Sequence, residues 1–255
     1  MTKNQSHKKK IEAIILAAGK GTRMKSNTPK VLHLLGGLSL LQHVINAARP
    51  LTASINIITG HNSEFIKNSI DTNVNWVFQE NQLGTGHAVK QALPNIDNNS
   101  IVLILYGDVP LIQTSTLKTL ISNTEITGFS ILTVIQKDPS GYGRIIRNSS
   151  RAIQSIIEHK DASAKELEVD EINTGIMAIN GRLLKKYLNQ IEPNNSQGEL
   201  YLTDIVEKAV KDNVNITSFI CEDSTEVMGI NNKNNLADAE RAYQLKIADG
   251  LMTNG

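Results

Sequence analysis

With 255 residues, 40% of them hydrophobic and 20% charged, the sequence has ordinary globular composition and enough length to bury a substantial core. Its 26 Lys and Arg nearly balance its 25 Asp and Glu, so no global basic field favours nucleic acid or an anionic membrane, and any anion site has to be built locally. The single cysteine, Cys221, cannot close an internal disulfide, no Cys/His cluster has zinc-site spacing, and no apolar run reaches the roughly 18 to 20 residues that span a bilayer, so a soluble, cytoplasmic protein is expected.

The chain opens on MTKNQSHKKK followed by IEAIILAA, which superficially mimics a leader peptide, but Glu12 interrupts the apolar run and Gly19, Lys20 and Gly21 follow at once. Residues 1–10 read as a disordered, solvated tail, and a first strand follows. Apolar runs at Ala13–Ala17, Ile55–Thr59, Ile101–Tyr106 and Ile131–Ile135 have the character of strands buried on both faces. Between them lie stretches with helical spacing: Leu40, Val44, Ala47 and Ala48, then Ala88, Val89 and Ala92, then Leu117, Leu120 and Ile121. This alternation predicts an α/β fold with a doubly wound, mostly parallel sheet.

Beyond about Gly141 the pattern loosens into shorter strands at Arg144–Arg147, Ile153–Ile157 and Thr174–Ile179, which predicts a smaller, mixed lobe. Leu236, Ala239, Tyr243, Ile247 and Leu251 form a stripe with helical spacing, so 233–255 reads as a C-terminal helix that closes the fold by packing. The Asn-rich stretches at Asn98 and Asn99, Asn194 and Asn195, and Asn231–Asn235 read mostly as loops, and no internal repeat is present.

The strongest chemical signal is LAAGKGTRM (Leu16–Met24), where a buried strand runs into a small, basic, glycine-containing loop, with Pro29-Lys30 shortly after. Gly19 and Gly21 supply conformational freedom, small residues let backbone amides approach a phosphate or base, and Lys20, Arg23 and Lys30 can converge on a triphosphate. No Lys-Ser or Lys-Thr closes the loop as a Walker motif requires, and Met24 stands where a dinucleotide fingerprint has its third glycine. The glycines alone would be an ordinary turn; Arg23 and Pro29-Lys30 favour phosphate.

A second signal is ILYGDVPL (Ile104–Leu111), an apolar strand that ends on an acid where open parallel sheets place their ligands. Asp108 is placed either to hold a magnesium ion shared with substrate phosphates or simply to end the strand between Gly107 and Pro110. A third is QENQLGTGHA (Gln79–Ala88), in which Gly84-Thr85-Gly86 opens a helix and the amides of Gln79 and Gln82 can pair with the donor and acceptor edges of a base. Its bland alternative is a glycine turn with Thr85 as helix cap, and His87 reads as structural.

Together with GYGRI (Gly141–Ile145), IIEHKDAS (Ile156–Ser163), EINTGI (Glu171–Ile176), QGELYLTDI (Gln197–Ile205) and EVMGINN (Glu226–Asn232), these segments resemble the uridylyltransferase domain of bacterial bifunctional N-acetylglucosamine-1-phosphate uridylyltransferase/glucosamine-1-phosphate acetyltransferases. The resemblance runs from about Ile11 to the final helix and implies a Rossmann-like nucleotidyltransferase domain over 11–232. It implies that Leu16, Ala17 and Gly19 line a uridine pocket, that Gln79, Gly84 and Thr85 read uracil, and that Arg23 and Lys30 contact the reacting phosphates. Tyr106 and Asp108 follow in the site, with Asp108 and Asn231 as protein ligands of Mg2+, while Gly143, Glu158 and Asn173 meet the sugar or ribose. Asn232 offers the same chemistry as Asn231, and Glu158 also reads as a solvated charge beside His159, Lys160 and Asp161.

Two departures carry consequences. Nothing resembling the family's hexapeptide repeats follows Asn231, so acetyl transfer is not expected and the trimer built by that half does not carry over; the oligomeric state is left open. Leu200 stands where the family usually has an aromatic residue. The implied reaction joins UTP to N-acetylglucosamine 1-phosphate by direct displacement, with release of pyrophosphate. Open alternatives are a transferase for another sugar 1-phosphate or base, a non-catalytic nucleotide-sugar sensor, and a dinucleotide-dependent oxidoreductase, which lacks the fingerprint glycine.

Overall fold

The computed structural model describes residues 9–254; residues 1–8 of the expected tail and Gly255 lie outside the described residues. In chain order the elements are β1 (Ile11–Leu16), the hairpin β2 (Leu34–Leu35) and β3 (Leu38–Ser39), α1 (Leu40–Ala48), β4 (Ser54–Thr59), α2 (Ser63–Asn68), β5 (Asn75–Phe78), α3 (Thr85–Ala92), β6 (Ile101–Tyr106), α4 (Thr114–Thr127) and β7 (Phe129–Ile135). There follow β8 (Arg144–Arg147), β9 (Ile153–Ile157), α5 (Ala164–Leu167), β10 (Glu171–Asn180), α6 (Gly181–Leu188), α7 (Asp204–Lys211), β11 (Ile216–Cys221) and α8 (Lys233–Asn254).

A nine-stranded sheet with the path β11-β7-β10-β6-β1-β4-β5 forms the centre. Strand β1 pairs in parallel with β4 and β6, β4 with β5, and β11 with β7, whereas β10 runs antiparallel to β6 and β7. The expected mostly parallel, doubly wound sheet is therefore present. Its continuous apolar runs follow from burial on both faces. In β1, Ala13 and Ile15 pack with residues of α1 and α4, while Ile14 joins the opposite layer with α3, α6 and α7. Glu12 lies inside β1, which starts at Ile11 ahead of the expected Ala13; its buried carboxylate accepts from Lys10 Nζ at 2.7 Å and the Asp97 N–H at 2.8 Å.

Of the smaller, mixed lobe expected beyond Gly141, β8 and β9 form an antiparallel hairpin joined to the main sheet through β10 and backed by α7, whereas the expected Thr174–Ile179 strand is part of β10 and pairs inside the central sheet between β6 and β7. The expected elements include neither α6 nor α7, although Leu184, Tyr187 and Leu188 in the one and Ile205, Val206 and Ala209 in the other have helical apolar spacing; β5, α2 and β11 carry no such mark. With four and six residues, β5 and α2 are too short for a period to repeat, and β11 is only half-buried along most of its length, held by its pairing with β7.

Helix α8 seats Leu236, Ala239 and Tyr243 on Leu35, Leu40, Leu111 and Ile230. Further along, Ile247 and Leu251 are 49% and 69% exposed, so the packing expected of that stripe holds only for its first half. The Asn-rich stretch before it is also only partly a loop. Asn232 Oδ1 accepts the Asn235 N–H at 2.9 Å and caps the helix, which draws Asn234 and Asn235 into α8. No helix among the described residues is long and apolar enough to cross a membrane.

Candidate active site

The carboxyl ends of the central parallel strands open into a cleft of about 750 Å³, the place where such sheets bind ligands. Leu16, Ala17 and Gly19 line it where β1 ends, Gln79, Gly84 and Thr85 from the end of β5 to the start of α3, and Tyr106 and Asp108 at the end of β6. Gly143 and Glu158 line it from the β8–β9 side, Asn173 from β10, and Asn231 from the approach to α8. Arg23 stands outside this wall, with its guanidinium donating to Asn231 Oδ1 at 2.9 Å.

The first loop is shaped by one glycine more than the other. Gly21 has φ +60°, and a Cβ there would lie 2.6 Å from the Lys30 Cβ, so the glycine lets the loop press against Lys30. Gly19 is open to the cleft, with nothing near the position a Cβ would take. Short 3-10 turns at Thr22–Met24 and Lys30–Leu32, with Met24 buried as an anchor, fix Arg23 and Lys30.

Lys30 then joins distant segments. Its ammonium pairs with Asp108 Oδ2 and donates to Asn231 Oδ1 at 3.2 Å. The Ile230 N–H donates to the Asp108 carbonyl at 2.8 Å, which brings Asn231 beside Asp108. Buried Glu226 secures the same segment by accepting the Gln113 N–H at 2.9 Å and the Gln113 side-chain amide at 3.3 Å. Asn231 faces the cleft, and Asn232 is engaged at the start of α8. Arg23 and Lys30 thus converge on one amide oxygen, a crowding of like charge that an anion between them relieves.

A family model described as "MobA-like NTP transferase domain" matches residues 13–168. The chain belongs to this family. Two relatives are each named "Bifunctional protein GlmU". The one from Vesicomyosocius okutanii subsp. Calyptogena okutanii (strain HA) is 52% identical over 246 residues, covering 96% of this chain and 55% of the relative. The one from Ruthia magnifica subsp. Calyptogena magnifica is 49% identical over 248 residues, covering 97% and 55%. The chain therefore spans about half the length of the curated relatives it matches.

Two solved structures share the fold of this NTP transferase. UDP-glucose pyrophosphorylase complexed with UDP-glucose superposes with a TM-score of 0.76 at 18% identity, covering 93% of this chain and 99% of the other. A putative glucose-1-phosphate thymidylyltransferase from Bacillus anthracis, in complex with a sucrose, gives 0.71 at 20% identity, covering 91% and 94%.

In the transferase, the Gly84-Thr85-Gly86 turn owes its form to a neighbouring backbone. Gly84 has φ +104°, and a Cβ on it would stand 2.6 Å from the Leu200 carbonyl oxygen. The Gly86 N–H donates to that oxygen at 2.8 Å, and the Leu200 N–H donates to the Leu83 carbonyl at 2.9 Å. The position where an aromatic was expected therefore serves this turn through its main chain, while the Leu200 side chain packs into the apolar layer. Thr85 is the first residue of α3 and not its cap; its hydroxyl accepts the Leu202 N–H at 3.0 Å.

The opposite wall is acidic and hydroxylated. Burial, with Asp161 nearby, raises the Glu158 carboxyl above the usual range, although the Thr203 hydroxyl donates to it at 3.1 Å. Burial and the charges of Glu158 and Asp108 raise the Tyr106 phenol far above its ordinary value, so it stays neutral. Burial, together with Glu207 and Glu158, pushes the Asp204 carboxyl up to about 6. Asn173 is fixed in the β10 irregularity by its N–H bond to the Gly143 carbonyl and by accepting the Gly175 N–H.

Sequence reasoning passed over Tyr142, Tyr201 and Thr203, which also line the cleft, and the wholly buried Arg144, which donates to the Pro139 carbonyl at 2.7 Å and to the Tyr142 carbonyl at 2.5 Å. Each lies within GYGRI or QGELYLTDI, so the motifs pointed at them without ranking their members.

Proposed function

We propose that this NTP transferase transfers UMP from UTP to N-acetylglucosamine 1-phosphate, giving UDP-N-acetylglucosamine and pyrophosphate in the cytoplasm. The observation that carries the reading is the meeting of Arg23, Lys30, Asp108 and Asn231 at one end of the cleft, with relatives about half identical supporting the choice of substrates. Residues 11–232 form the catalytic domain in this reading, and the first half of α8, through Tyr243, closes it.

A sugar 1-phosphate is already ionised at neutral pH, so it attacks the α-phosphorus of UTP without a dedicated general base. A bond forms from the sugar phosphate oxygen to that phosphorus, and the bond to pyrophosphate breaks in the same displacement. Positioning and charge neutralisation dominate such chemistry. Arg23 and Lys30 draw the phosphates to one end and stabilise the charge on the departing pyrophosphate. Gln79 with the Gly84–Thr85 backbone receives the base, and Leu16, Ala17 and Gly19 let the uridine lie close against β1. Gly143, Glu158 and Asn173 orient the sugar, with Tyr106 as a neutral wall.

The donor set suits magnesium. Asp108 Oδ2 and Asn231 Oδ1 are hard oxygens that already share one cation, the Lys30 ammonium. No cluster of three His, Cys, Asp or Glu residues among the described residues offers a closed cage, which fits an ion that keeps waters and phosphate oxygens as its other ligands. Bound by Asp108 and Asn231, magnesium would supply charge neutralisation to the phosphates.

A panel of UTP, TTP and CTP against N-acetylglucosamine, glucosamine and glucose 1-phosphates, scored by pyrophosphate release, tests the reading. UTP with N-acetylglucosamine 1-phosphate is expected to give the highest kcat/KM. A clear preference for another pair would replace the substrates and keep the chemistry.

A further inference from the structure

His87, which sequence reasoning leaves as structural, sits against the side chain assigned to the base. Gln79 is 3% exposed, and its amide nitrogen Nε2 lies 2.9 Å from His87 Nδ1 and 3.4 Å from the Gly84 carbonyl oxygen. A carbonyl oxygen only accepts, so the end of the amide turned towards Gly84 is the NH2 group. His87 Nδ1 must then be the unprotonated acceptor, and the ring proton resides on Nε2. That side of the ring faces Gln91, whose amide nitrogen lies 3.2 Å from Nε2 and donates to the His87 carbonyl at 3.2 Å; a neutral ring carries one N–H, so one of the two amides has to present its oxygen, and the less buried Gln91 is the one that gives up its carbonyl bond and turns. No protein donor among the described residues reaches the other end of the Gln79 amide, Oε1, and Gln79 lines the cleft.

We propose that His87 is a positioning residue for base selection: by holding the Gln79 NH2 group inward, it leaves Oε1 as a pure acceptor facing the base. The inference rests on the reading that Gln79 contacts the base. An acceptor there pairs with a ring N–H, which uracil and thymine carry at N3 and cytosine lacks. Opposite cytosine, two acceptors would face each other in a desolvated pocket. Without the His87 acceptor only the longer 3.4 Å contact to the Gly84 carbonyl holds the Gln79 amide, so it turns over more readily to offer its NH2 group, and discrimination against cytosine falls.

Dissociation constants for UTP, CTP and TTP, measured by calorimetry on the full chain, test this without reference to turnover. The variants are His87→Ala, His87→Phe, His87→Asn and Gln79→Ala. His87→Phe fills the ring volume without an acceptor, and His87→Asn places an amide oxygen the same number of bonds from the backbone as Nδ1. His87→Ala and His87→Phe are expected to lower the preference for UTP over CTP by about ten- to hundredfold, the range for leaving one buried polar contact unpaired. The UTP:TTP ratio should hold, because thymine has the same ring N–H, and His87→Asn should restore most of the preference.

Equal weakening for all three nucleotides would show a merely structural histidine and overturn the proposal. So would loss of the preference in Gln79→Ala with its retention in both His87→Phe and His87→Ala, which leaves the base contact standing. Retention of the preference in Gln79→Ala would instead remove the base contact itself, and the role of His87 with it. His87→Phe carries the test if His87→Ala does not fold.

Discussion

The two flanks of the cleft come from different parts of the sheet and carry opposite character. On the parallel side, at the ends of β1 and β6, cationic side chains from a tight loop meet Asp108 and Asn231, and backbone contacts set the geometry. On the antiparallel side, β8 to β10 and the approach to α7 present Glu158, Asn173, Tyr201 and Thr203, with the Glu158 carboxyl held above its ordinary range by burial. A ligand carrying phosphates at one end and neutral hydroxyls at the other has one favourable orientation in such a cleft. The acidic flank repels a phosphate that enters backwards, and the basic flank attracts it.

The largest effects should come from the basic flank. Asp108→Ala and Lys30→Ala are each expected to lower kcat on the order of hundreds-fold, as loss of a preorganised electrostatic group does, measured by pyrophosphate release. Near-normal rates in both would erase the distinction between the flanks. Next is the glycine at their junction. Gly84→Ala places a Cβ against the Leu200 carbonyl at a positive φ and should cost on the order of 1–3 kcal/mol of stability by thermal or urea unfolding.

The acidic flank should reveal itself through pH. Because the Glu158 carboxyl lies above the usual range, it takes up a proton at a higher pH than an ordinary glutamate and then ceases to be a pure acceptor. The KM for the sugar 1-phosphate should therefore rise on acidification. Glu158→Gln, whose amide does not titrate, should show only the part due to ionisation of the substrate itself. Identical pH profiles for the two proteins would contradict a role for Glu158 in holding the sugar.

The smallest effect concerns stability. Asp204 has a folded-state pKa of about 6 against an ordinary 3.8, so between those values the folded protein holds a proton that the unfolded chain has lost. Stability should fall as pH rises through about 4 to 6 and level off above. Asp204→Asn should flatten that slope and raise the Tm modestly at neutral pH. An unchanged slope would place the titration elsewhere.

Much of this arrangement was legible in the sequence because it is local. Strand β6 appears at its full Ile101–Tyr106 span, and Asp108 follows it into the cleft; the small, basic loop after β1 is likewise visible as a motif. What could not be read are contacts between remote segments. Arg23 and Asn231 lie 208 positions apart, and they meet because the Ile230 N–H bonds the Asp108 carbonyl and Glu226 holds the segment at Gln113. No periodicity encodes such a bond. The same holds for Leu200, which departs from the family's usual aromatic in its side chain while its main chain shapes the Gly84 turn. The stripe on α8 misled in the other direction, since helical spacing gives the face of a helix but not where its packing partners stop.

The most direct test is a coupled assay with UTP, N-acetylglucosamine 1-phosphate and Mg2+, run on the wild-type chain. One pyrophosphate released for each UDP-N-acetylglucosamine formed, with the rate collapsing in Asp108→Ala, is the predicted result. Tight binding of the UDP-sugar by calorimetry with no turnover under the same conditions would contradict it and make the cleft a sensor of nucleotide sugars.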